Sequence, residues 1–196
     1  TIHLPLDLRL ADDGSPRHAS MDKARRVIDC TASLNPRAYV LHLDGKDIRT
    51  GADSAVYEHW CGHAVQSLAI VGDWAGGIEK LAVENLEGYP VDFYRAVFVA
   101  TAVSRTVDVG HLWLDGHDPV SYLREALPRT KVVHLHGVAE RDHLSLAHVP
   151  VEKLRAVCDE LVRADYCGVV TVEVFSEEDL TSSLRALNSV WKGKQL

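Results

Sequence analysis

"YVLHLDG", residues 39–45, alternates Tyr39, Leu41 and Leu43 with Val40, His42 and Asp44, so one face of the implied strand stays apolar while the other turns polar toward its end. The same alternation recurs along the chain. "KLAVENL" (80–86) sets Leu81 and Val83 against Ala82 and Glu84, "RTVDVGH" (105–111) sets Val107 and Val109 against Thr106 and Asp108, and "VTVEVF" (170–175) sets Val170, Val172 and Val174 against Thr171 and Glu173. Strands of an open, doubly wound sheet are covered on both faces and read as continuous apolar runs, whereas the inner face of a closed barrel collects polar groups at its carboxyl ends. Alternation ending in His, Asp or Glu selects the barrel.

Strand-like runs fall at 1–8, 38–44, 80–86, 105–113, 131–137 and 169–175, separated by amphipathic stretches such as "MDKARRVIDCTASL", "SAVYEHWCGHAVQSLAIVGDWAGG", "VDFYRAVFVATAVS" and "VEKLRAVCDELVRADYCG", with "EEDLTSSLRALNSVWKG" as the last helix. Six βα units imply an α/β chain with parallel strands, and the strand faces make it a (β/α)8 TIM barrel. A complete barrel runs to about 250 residues. At 196 residues the chain is therefore expected to be an incomplete barrel forming a single domain over 1–196, with its N-terminal units missing. It opens directly on the strand pattern "TIHLPLDLRL", without an initiator methionine.

A net charge of −7 disfavours nonspecific attraction to nucleic acid or to an anionic membrane, so a small-molecule substrate is expected. The four cysteines are scattered without a C-x-x-C pair, as reduced thiols are in a cytoplasmic protein, and no apolar run reaches the length of a membrane span.

The segment "TKVVHLHGVAERDHLSL" (130–146) places His134 and His136 on one strand face. With His3, His42, Glu84, Asp108 and Glu173 they converge on the carboxyl ends of six strands, with His111 just past one of them. Burying so many carboxylates without partners would cost several kcal/mol each, and these strands carry no matching inward Arg or Lys. Divalent cations would neutralise them. Mixed imidazole and carboxylate ligands suit Zn2+, Mn2+ or Fe2+, one or two per chain.

"LHLDG", "LAVENLEG", "VDVGH", "HLHG…RDHLSL" and "TVEVF", in that order, resemble the xylose isomerase-like TIM barrels, the AP endonuclease family 2 superfamily that includes endonuclease IV-type enzymes and sugar epimerases. Within it, "IHLPLDL", "VENL", "DVGHLWLDG", "HLHGV…RDHLSL" and "EVFSEEDLTSSL" resemble the cobamide-remodelling phosphodiesterases, which hydrolyse the phosphoester of a cobamide's nucleotide loop. The resemblance implies metal ligands at His3, His42, Glu84, Asp108, His111, His134 and Glu173. It makes Glu84 the carboxylate between two ions, with His3 and His42 on one and Asp108, His134 and Glu173 on the other. His136 and Arg141 are expected to bind substrate, and Asp142 or His143 to move the proton. The endonuclease pattern carries an Asp-x-His after the sixth-strand histidine, where this chain has Glu140, Asp142 and His143 in "ERDH", so three ions are not implied.

The alternative within the superfamily is a sugar isomerase or epimerase using one ion on Glu84, Asp108, His134 and Glu173, which leaves His3 and His42 without work. A non-catalytic binding barrel is a second alternative, against which stands the retention of every expected ligand. His59 and His63 lie four apart in "EHWCGH" but lack the Glu of H-E-x-x-H, so no metal is expected there. "GDWAGG" (72–77) reads as a helix end, and His18, His117 and His148 receive no role.

Overall fold

The computed structural model describes residues 1–191. Six parallel strands, β1 (Ile2–His3), β2 (Tyr39–Leu41), β3 (Leu81–Glu84), β4 (Ser104–Asp108), β5 (Thr130–Leu135) and β6 (Val169–Val172), form one sheet in the order β1-β2-β3-β4-β5-β6. Among the described residues seven helices follow the strands: α1 (Gly14–Thr31), α2 (Ser54–Ala75), α3 (Arg95–Ala100), α4 (Val109–Leu114), α5 (Pro119–Ala126), α6 (Val151–Arg163) and α7 (Glu177–Val190). A doubly wound sheet reverses its strand order at a switch point, and this one never does. The order is that of a (β/α)8 barrel represented by six of its units, an α/β partial barrel as expected.

The chain forms two compact parts, Thr1–Thr106 and Val107–Leu196. In the first, Ile2 pairs with Tyr39 and Tyr39 with Leu81, while Trp60, Ala64, Leu68, Val71 and Ala75 form a buried stripe along α2 against Leu41, Leu43, Leu81 and Val83. In the second, His134 pairs with Thr171, and Leu154, Val157, Cys158 and Leu161 of α6 pack with Val133, Leu135, Leu187 and Val190.

The strands are shorter than their sequence patterns. β1 ends at His3, although the Leu4 N–H still donates to the Val40 carbonyl at 2.8 Å, and Pro5 follows where its missing N–H faces the open edge of the sheet. The run 105–113 is strand only to Asp108, where the Asp108 side chain accepts the His111 N–H at 2.8 Å and caps α4. α5 is absent from the helical pattern of the sequence, although Asp118 caps it and Pro119 opens it. α1 begins at Gly14, seven residues before the "MDKARR" pattern, and the stretch 91–104 is helical only over Arg95–Ala100. α2 ends at Gly76, whose φ of 81° is the left-handed cap that "GDWAGG" signals. α7 carries the expected last helix to Val190; Lys192 and Gly193 of that expectation lie outside the described residues.

Candidate metal centre

In the first part, β1 ends in His3, β2 leads one residue on into His42, and β3 ends in Glu84. Their ligand atoms lie within 4.8 Å of one another. His3 Nε2 and His42 Nε2 approach the same Glu84 Oε2 at 3.3 and 3.4 Å, and Glu84 is only 2% exposed. His3 Nδ1 donates to the Leu4 carbonyl at 2.7 Å. A protonated ring donates from both nitrogens, whereas in a neutral ring that bond fixes the tautomer and aims the Nε2 lone pair at the carboxylate oxygen, so that two acceptors face each other. A cation between them resolves the conflict, and a histidine that donates its other N–H to a carbonyl is the usual form of a metal ligand.

In the second part, Asp108 stands at the junction of β4 and α4. Its Oδ1 caps the helix and lies 3.0 Å from His136 Nε2, while its Oδ2 is 3.7 Å from both His134 Nδ1 and His111 Nδ1. His134 Nδ1 is also 2.7 Å from Glu173 Oε2. Burial pushes the Asp108 carboxyl up, but the close His134 and His136 rings and the charges of His111 and His136 outweigh it and hold the group down at about 2. Burial pushes His136 down, and the adjoining, negatively charged Asp108 carboxylate overcomes it to leave the ring raised. His136 Nε2 and Glu173 Oε2 are closed to solvent and, despite these approaches, make no hydrogen bond. Crowded donor atoms that cannot satisfy one another fit a divalent ion. The set of imidazoles and carboxylates without thiolate suits zinc, manganese or ferrous iron.

The loop after β5 folds back onto this set. Gly137 and Leu144 pair as an isolated antiparallel bridge, and a Cβ at Gly137 would overlap the Ser145 backbone. The closure places His143 in the left-handed region at φ 53°, a strained setting for a non-glycine residue. Its N–H donates to His136 Nδ1 at 3.0 Å. Its ring is stacked between His136 (4.2 Å between centroids) and Phe175 (4.9 Å). Asp142 Oδ2 lies 3.1 Å from His143 Nδ1. Asp108, His111, His136 and His143 thus form a second cluster of ligand atoms within 4.8 Å. Arg141 is exposed on the same loop, whereas His136 is fully buried against Asp108.

Two contributors escape a reading of the sequence. Phe175 is 76% exposed yet stacks on His143, and nothing in "EVF" marks it as more than a strand residue. Gly110 has a signal, the glycine of D-x-G-H: a Cβ there would overlap the His136 ring.

A family model described as the xylose isomerase-like TIM barrel matches residues 1–190. The chain belongs to that family. Among solved structures, this xylose isomerase-like chain is similar to a D-tagatose 3-epimerase-like protein, with a TM-score of 0.78 and 18% identity over 96% of this chain and 75% of that one. It is similar to an L-ribulose 3-epimerase, with a TM-score of 0.71 and 18% identity over 100% and 67%. It is also similar to endonuclease IV from Thermus thermophilus, with a TM-score of 0.66 and 21% identity over 96% and 74%. Identities this low establish the fold and no more. No curated protein matches the sequence. No helix among the described residues is long and apolar enough to cross a membrane.

Proposed function

We propose that the protein is a metal-dependent phosphodiesterase, and that its substrate is the nucleotide-loop phosphoester of a cobamide. The observation that carries this reading is the His3, His42 and Glu84 set, which exists in addition to the Asp108, His134 and Glu173 set. A one-ion epimerase leaves the first set without work. His3, His42 and Glu84 would hold one ion and Asp108, His134 and Glu173 another, with His111 and His136 orienting Asp108. Divalent ions so held supply an activated water and neutralise charge on phosphoryl oxygens.

The remaining work falls to side chains. Asp142 Oδ2 beside His143 Nδ1 orients the ring and leaves Nε2 as the atom that can pass a proton to the leaving oxygen. Arg141 on the same loop offers a planar fork of donors to a phosphate oxygen. The exposed face of Phe175 offers an apolar platform to the bulk of the substrate.

A second reading, a sugar isomerase or epimerase, draws its support from the comparisons, where two of the structural neighbours are an epimerase and an epimerase-like protein. The comparisons lean toward it over phosphoester hydrolysis. The decisive assay offers metal-reconstituted protein a cobamide and, separately, ketohexoses, followed by 31P NMR and sugar chromatography. Cleavage of the cobamide phosphoester supports the first reading; ketose interconversion with every cobamide left intact replaces it with the second.

A further inference from the structure

A third cluster lies outside the strand ends. His59 and His63 occupy successive turns of α2, one helical face four residues apart, with ring centroids 4.3 Å from each other. The third member comes from far off in sequence: Asp13, which takes the N-cap position of α1 with extended backbone but makes no side-chain capping bond. Its carboxylate turns instead to the two rings. Oδ2 lies 3.3 Å from His59 Nε2, and Oδ1 lies 3.3 Å from His63 Nδ1. All three ligand atoms fall within 4.8 Å of one another.

We propose that Asp13, His59 and His63 form a separate binding site for a borderline divalent ion of the zinc, cobalt or nickel class. Four ligands at about 2.0–2.2 Å from a tetrahedral ion stand roughly 3.3–3.6 Å apart, and the two Asp13 contacts, one from each carboxylate oxygen, have that spacing. A plain ion pair does not account for the site, because His63 Nδ1 is closed to solvent and, in spite of its 3.3 Å approach to Asp13, makes no hydrogen bond. An ion would satisfy that nitrogen and use the carboxylate that α1 leaves uncapped. Two imidazoles and one carboxylate are too nitrogen-rich for calcium or magnesium. Three protein ligands leave one position for water. Asp13 and His59 also line a surface cavity of ≈ 240 Å³ with Asp12, Asp44 and Trp60, so the open position has room beside it. The sequence alone points away from this site, since the H-x-x-x-H spacing lacks its glutamate; the third ligand is 46 residues upstream of His59 and is supplied by the fold.

Isothermal titration of metal-stripped protein with ZnCl2 tests the site. The wild type is expected to take up one equivalent more than the His59→Ala/His63→Ala variant, with zinc raising the thermal midpoint of the wild type further than that of the variant. Asp13→Asn, which removes only the charged ligand, is expected to weaken that extra equivalent tenfold or more, and it serves in place of the double variant if the latter does not fold. The strand-end residues are common to all three proteins, so a failure of the proposed function changes the total uptake and not the difference. Equal stoichiometry and equal zinc affinity in wild type and variants would overturn the site.

Discussion

The two strand-end ligand sets are built from the same residue types but held in different ways. His3 and His42 reach Glu84 from the last residue of a two-residue strand and from the residue just beyond a three-residue one, and their side chains remain 27% and 20% exposed. Asp108 is instead fixed by the α4 backbone, buried completely, and approached by His111, His134 and His136. The second set is organised before any ion arrives, because its central carboxylate is already held by a helix end and by imidazoles that are themselves packed. The first set depends on the ion to settle which atom carries positive charge. On the proposed reading, an ion at Asp108 would be held tightly and one at Glu84 would exchange readily.

The largest effect that would sharpen this contrast is expected from Asp108→Asn. The amide keeps the oxygen that caps α4 but removes the charge that draws in the histidines, so phosphodiesterase activity should fall by on the order of 10²–10³-fold or more while the fold persists. Retained activity in steady-state assays would break the account at its strongest point. His42→Ala should also abolish most hydrolysis, yet the protein should keep the more tightly held ion through chelator dialysis, as read by elemental analysis. If His42→Ala instead loses both ions, the two sets are not independent.

Gly110→Ala comes next. Its Cβ would overlap the buried His136 ring, which Asp108 and His143 leave little room to move, and overpacking of this kind costs roughly 1–3 kcal/mol. In a chain of this size that lowers the thermal midpoint by about 2–4 °C per kcal/mol. An unshifted midpoint would mean that the His136 ring is not held where the contrast requires.

The smallest effect concerns a carboxylate in the same part that is paired for structure and not for chemistry. Glu160 of α6 is buried at 3% exposure, and its hydrogen bond with Arg163, followed by that with Arg124, holds its carboxyl below the usual range. A depressed folded-state value stabilises the protein above the unfolded carboxylate range and loses that contribution as pH falls through the folded value. Glu160→Gln should therefore lower the midpoint by roughly 1–3 °C at pH 7, a small effect because the arginines are exposed and surface pairs are weak, and by progressively less as pH falls through the folded value. A difference that stays constant as the solution is acidified would assign the effect to packing.

Much of this is legible in the residues. The polar strand ends at His42, Glu84, Asp108, His134 and Glu173 identify a barrel because period-two alternation carries facing information directly. Strand ends are less legible: "VDVGH" continues a β-branched pattern, and only the capping bond from Asp108 turns it into a helix. α5 shows how a short helix hides when its apolar stripe is brief, although the Asp-Pro at its start is a sufficient signal. The stacking of His143 between His136 and Phe175, and the meeting of Asp13 with α2, have no sequence signal, because both depend on loops whose closure joins residues distant along the chain.

The central claim is that the His3 set binds an ion of its own. Crystals soaked in ZnCl2 and measured above the zinc absorption edge test it most directly, since anomalous difference density locates each ion without reference to activity. Apart from any peak at Asp13, His59 and His63, one peak is expected bonded to His3, His42 and Glu84 and a separate, stronger one bonded to Asp108, His134 and Glu173, with the first lost on brief chelator washing. A peak at Asp108 with no density beside His3 and His42 at saturating zinc would contradict it.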